Sequence, residues 1–174
     1  MAGLLVLRSP FRPLILGLIA AVLAFYGYRT LFPDDERQIR DQLDRVATAL
    51  SVSGEESDVG RLARIAALSS DLAIDVRVEG TTPGEPLKGR DAVMAAAVRV
   101  AAAIGDLRLA FLDTEVGFED GRQQALVHLT AEARFKAAGE SGIDARELDI
   151  IFRKTGGRWL VATVLPVDTL TPVR

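Results

Sequence analysis

From Leu107 to Val167 the hydrophobic pattern repeats every second residue, broken three times by short glycine-bearing segments. A period of two sends successive side chains to opposite faces of a strand, so this stretch has to form sheet. Leu107 to Phe118 reads as one long strand. Glu119-Asp120-Gly121-Arg122 is a turn, with the Asp-Gly pair that a tight hairpin favours. Gln124 to Ala137 is the next strand, and Ala138 to Asp144 a second turn. Ala145 to Lys154 follows, then the tight turn Thr155-Gly156-Gly157, then Arg158 to Val167. Four hairpin-linked strands predict an antiparallel meander. Each strand keeps one apolar parity. Val127, Leu129, Ala131 and Phe135 oppose His128, Thr130, Glu132 and Arg134, while Leu148, Ile150 and Phe152 oppose Glu147, Asp149 and Arg153. One face is therefore expected to be covered and the other wet.

The covering elements precede the meander. Ile39, Leu43, Val46 and Leu50 make one apolar stripe on a helix from about Asp35 to Leu50, with Asp34 or Asp35 as its cap. Ser57 or Asp58 can cap a second helix, with Val59, Leu62, Ile65 and Ala66 expected inward. Ile74 to Glu79 alternates as a half-buried strand. Residues Gly80 to Gly89, with two prolines and three glycines, read as a loop. Arg90 to Ile104 is a third helix, stopped by Gly105. Its stripe is Val93, Ala97, Val100 and Ile104, and its many alanines predict close approach to whatever it packs on.

Residues Leu14 to Tyr28 carry no charge, and continuing to Phe32 gives about the 20 residues needed to cross a bilayer. Tyr26, Tyr28 and Phe32 suit an interfacial aromatic belt, and Arg29 can snorkel to the headgroups. Three readings stand: an uncleaved signal anchor, a cleaved signal peptide, or a buried helix. The run shows no polar face to water, and it continues past Ala24 without a clear cleavage edge, which favours the anchor. The organisation is then a tail over 1–13, a transmembrane anchor over 14–32 and one domain over 34–174. Arginines are more numerous after the run than before it, which by itself places the domain inside. Large domains translocate largely regardless of charge, and the orientation taken is N-terminus in, domain out.

Composition narrows the function. With no cysteine and one histidine among 174 residues, thiolate chemistry is excluded and no metal or cofactor is expected. Net charge is −3 with acids and bases interleaved, so nucleic acid is not an expected partner. No nucleophile motif surrounds a serine, and no glycine-rich phosphate loop is present.

Three pieces in order carry a family resemblance: Ser70-Asp71-Leu72-Ala73-Ile74 leading into the first strand, Lys88-Gly89-Arg90-Asp91-Ala92-Val93 opening the third helix, and Gly156-Gly157-Arg158-Trp159-Leu160-Val161 starting the last strand. Over about residues 35 to 168 the chain resembles the nuclear transport factor 2-like superfamily, in its SnoaL-like branch. The resemblance implies an α+β fold, a cone-shaped, curved and mostly antiparallel sheet wrapping three helices, here behind one transmembrane helix. It also implies a bacterial inner-membrane protein with a single pass and its domain on the periplasmic side, because anchored bacterial members of the superfamily exist.

Enzymes of the superfamily, such as ketosteroid isomerase and scytalone dehydratase, use acids, tyrosines or histidines inside the cone. The domain here has no tyrosine beyond Tyr28, which weighs against an enzyme. The candidate catalytic groups are Asp71, Asp113, Glu115 and His128. Asp71 also fits a turn cap, and His128 shares the parity of the wet face. Asp113 and Glu115 share the parity of Leu109 and Phe111 unless a bulge intervenes. Trp159 reads as packing, and Arg90 as solvated. Two functions follow. The first is a non-enzymatic scaffold that forms a homodimer or takes a protein partner through His128, Thr130, Glu132, Arg134, Glu147, Asp149 and Arg153. The second is a binder of, or enzyme on, a small apolar molecule.

Overall fold

The computed structural model describes residues 34–167, apart from 55, 81–85, 120 and 138–139. The tail over 1–13, the apolar run over 14–32, the tip of the 138–144 turn and half of the 80–89 loop lie outside the described residues. Among those described, no helix is long and apolar enough to cross a membrane. The chain divides into two units, Met1–Gln38 and Ile39–Arg174, and the architecture below is that of the second together with the helix that enters it.

Three helices precede or interrupt the sheet: α1 (Asp35–Leu50), α2 (Asp58–Ala67) and α3 (Arg90–Ala103). Six strands follow one another as β1 (Leu72–Val78), β2 (Leu87–Lys88), β3 (Asp106–Phe118), β4 (Gln124–Ala137), β5 (Glu140–Thr155) and β6 (Arg158–Pro166). They form one open, curled sheet in the order β2-β1-β6-β5-β4-β3. The expected meander is its four strands β3 to β6. β1 joins parallel to β6, and β2 adds a two-residue edge inside what reads as a loop.

Local chemistry explains the joints. Acids occupy the first turn of α1, and Ile39, Leu43 and Ala47 recur every fourth residue on its buried side. At its end the Ser51 hydroxyl donates to the Ala47 carbonyl at 2.8 Å and accepts from the Leu109 N–H at 3.0 Å. Val52 then exchanges two backbone hydrogen bonds with Leu107, which fastens the helix end to the sheet edge. Ser57 caps α2 by accepting from the Gly60 N–H. Arg90 is half-buried rather than freely solvated. Its Nε and Nη2 both donate to the Leu72 carbonyl, at 3.1 and 2.6 Å, and clamp the start of α3 onto β1.

The core is the concave side of the sheet closed by α1. Phe152, Val127, Leu129, Val76 and Ile39 are fully buried there. Trp159 is packing, 3 % exposed with its ring 5.8 Å from Phe118. Several expectations need correction. β5 begins at Glu140 rather than 145, because Gly142 pairs with Phe135, whose ring lies where a Cβ would stand. On β1 the alternation slips where register with β6 shifts between Leu72 and Arg77, so Ile74 is 75 % exposed. On α2 only Ile65 is buried, and Val59, Leu62 and Ala66 face outward.

Candidate functional site: an apolar cavity in the curled sheet

The curled sheet is hollow. Between α1, α3 and the concave face lies a cavity of about 380 Å³. α1 contributes Leu43, Val46 and Leu50 to its wall, and α3 contributes Val93, Ala97 and Val100. The sheet closes it with residues such as Phe111, Ala131, Leu148 and Val161. Among the described residues every one that lines it is Ala, Val, Leu, Ile, Met or Phe, with Phe111 the one aromatic. The volume falls within the range of small-molecule sites, but the few placed polar groups that normally orient a ligand have no counterpart in this wall.

None of the four candidate catalytic residues reaches the cavity. Asp71 sits in a 3-10 turn (Leu68–Asp71) with its carboxylate 3.6 Å from Arg45 Nη2, while its carbonyl accepts from Gln42 Nε2 at 3.0 Å. Gln42, 3 % exposed, was missed in the sequence, although it lies three residues from Ile39 and four from Val46, within the helix's inward sector. Asp113 and Glu115 are exposed. The register of β3 against β4 shifts between Leu112 and Glu115, and Asp113 takes φ 50°. Phe111 points in before this bulge, whereas Val116 and Phe118 point in after it, so the bulge carries both acids outward.

The outer face gathers the remaining candidates. Glu115, His128 and Asp149 stand side by side on β3, β4 and β5. His128 Nδ1 lies 2.8 Å from Asp149 Oδ1. That hydrogen bond raises the imidazole's affinity for its proton above the ordinary 6.5, with further help from the Asp149, Glu147 and Glu115 charges against a desolvation opposing it. Thr130 faces Glu147 in the next rung. Glu132 and Arg134 pair at 2.7 Å along their strand, and Arg153 pairs with Asp75 on β1. Arg153 holds the Asp75 carboxyl below its usual range. This is a laced, half-exposed polar surface with the cavity on the other side of the sheet. Among the described residues no cluster of His, Asp and Glu could hold a metal ion.

The SnoaL-like domain model matches residues 32–163. The chain belongs to the SnoaL-like domain family. Solved structures agree on the fold of this SnoaL-like chain. A candidate scytalone dehydratase from Novosphingobium aromaticivorans is 16% identical with a TM-score of 0.61, over 79% of this chain and 89% of its own. A candidate aromatic ring hydroxylase from the same organism is 15% identical with a TM-score of 0.63, over 78% and 90%. An ntf2-like protein with a cystatin-like fold, also from N. aromaticivorans, is 21% identical with a TM-score of 0.58, over 90% and 92%. No curated protein matches the chain. At such identities these structures speak for the fold of the SnoaL-like domain, and its function has to be read from its own residues.

Proposed function

We propose that this SnoaL-like domain is a receptacle that holds a small apolar molecule without transforming it, tethered to a membrane by residues 14–32 with the domain outside. One observation carries the reading: a cavity of about 380 Å³ whose wall, among the described residues, contains no acid, base, hydroxyl or amide side chain. Proton transfer needs a titratable group within hydrogen-bond reach of the reacting atom, and Asp71, Asp113, Glu115 and His128 all stand elsewhere. The tether rests on the uncharged run from Leu14 to Tyr28. Native mass spectrometry of the full chain, released from detergent and offered apolar ligands, tests the proposal. The wild type should carry a ligand mass that Ala131→Leu removes by filling the cavity. A bare wild-type mass at saturating ligand would sink the idea.

A second reading, pairing of two copies through the outer sheet face, is favoured by Leu112, Leu126 and Ile143. They are 42, 46 and 66 % exposed among the paired charges of that face. Apolar residues within a polar rim are the usual make-up of an association surface. Light scattering should then give twice the chain mass for the wild type and a single mass for Leu126→Glu.

A further inference from the structure

The cavity wall also restricts what the bound molecule can be. We propose, resting on the receptacle reading above, that the ligand is a single-chain lipid. Its saturated acyl or isoprenoid tail fills the cavity, and its polar head stays at the rim beside Arg146.

The first argument is chemical. Any hydroxyl or carbonyl carried into this wall would lose its water and find no donor or acceptor side chain. Each such group loses about tenfold or more in affinity. Oxygenated polycyclic substrates present several of these groups on all sides, whereas a hydrocarbon tail presents none. Stacking gives rings little advantage here, because Phe111 is the one aromatic in the wall.

The second argument is shape. The wall follows α1 from Leu43 to Leu50 and α3 from Val93 to Val100. Each stretch advances about 10 Å at the rise of an α-helix, so the space extends along two helices.

The third argument locates the head. Along the concave side of β5 the residues run Ile150, Leu148, Arg146, Asp144. Ile150 and Leu148 line the cavity, and Arg146 is the register partner of lining Ala131. Along β5 the first charge met on leaving the hydrocarbon is thus Arg146, which is largely exposed and paired with Asp144 at 3.0 Å. Across from the sheet, Val100 lines the cavity while 48 % exposed, which marks that position as rim. A tail inside and a head in water satisfy both ends.

Photolabelling tests this on the full chain held in a fluorinated surfactant, whose tail mixes poorly with hydrocarbon. Three diazirine probes are used, made from dodecanoic acid, farnesol and a naphthol, each followed by peptide mapping. The aliphatic probes should mark α3 between Val93 and Val100 or β5 at Leu148. Ala131→Leu and Ala97→Leu, each checked for a native circular dichroism spectrum, should cut that labelling about tenfold. Preference for the straight chain assigns an acyl lipid, and preference for farnesol an isoprenoid; either supports the inference. Labelling by the naphthol alone overturns the lipid tail and leaves the receptacle standing. Cavity labelling by none of the three overturns both. Aliphatic labelling that persists undiminished in both folded variants places the probe outside the cavity and also overturns the inference.

Discussion

His128 is the only histidine in the chain, so its ring titrates as one resolved signal. The hydrogen bond that its Nδ1–H donates to Asp149 raises its folded-state pKa above the ordinary 6.5. A raised pKa contributes stability that is fully present below the unfolded value and disappears as pH rises through the folded one. Proton NMR of the ring should therefore give a midpoint above 6.5 in the wild type and a lower one in Asp149→Asn. The melting temperature of the wild type should exceed that of Asp149→Asn at about pH 5.5, and the gap should close by about pH 9. Equal midpoints in the two proteins would show that the pair does not form. The outward setting of His128 was legible in the sequence, because β4 alternates without interruption. The setting of Asp113 and Glu115 was not, because one register shift reverses every parity after it.

That shift belongs to β3 as an element. Asp113 adopts φ 50°, a region that glycine enters freely, aspartate tolerates and β-branched residues avoid. Asp113→Gly should unfold in urea at or slightly above the wild-type midpoint, whereas Asp113→Val should lose about 1–2 kcal/mol. Equal stability for the glycine and valine variants would mean that the bulge relaxes. Helix extents were read well, since periodicity and caps are local signals: α1 was expected over the span it occupies, and Ser57 was one of two expected caps for α2. The facing of α2 was misread because a helix turns toward whatever it packs on. Ile65 joins Val52 and Ala101, and this leaves Leu62 49 % exposed. Leu62→Glu should accordingly change stability by less than about 0.5 kcal/mol, against several for a core leucine. A larger loss, measured by the same urea titration, would return Leu62 to the core.

For the whole molecule the decisive feature is a part of the interior that is not filled, which periodicity cannot show. The alanines of α3 read as a surface for close approach; in the structure Ala101 does pack closely on Ile65 and Val52, while Ala96, Ala97 and Ala101 also border the cavity. A pattern tells which side of a helix is apolar, but the distance between that side and a curled sheet depends on the bulges that curl it. Two substitutions of the same size separate hollow from packed. Ala125 is 1 % exposed and sits between its register partners Phe118 and Phe152. Ala125→Leu should cost about 1–3 kcal/mol, as overpacking does in a close-packed interior. Ala97→Leu puts the same added carbons into empty apolar space, where each buried methylene is worth about 0.8 kcal/mol before strain. Its urea midpoint should equal or exceed that of the wild type while ligand capture falls. If both leucines destabilise alike, the sheet closes on its helices in solution and holds no ligand; if only Ala125→Leu does, the hollow is a standing part of the fold.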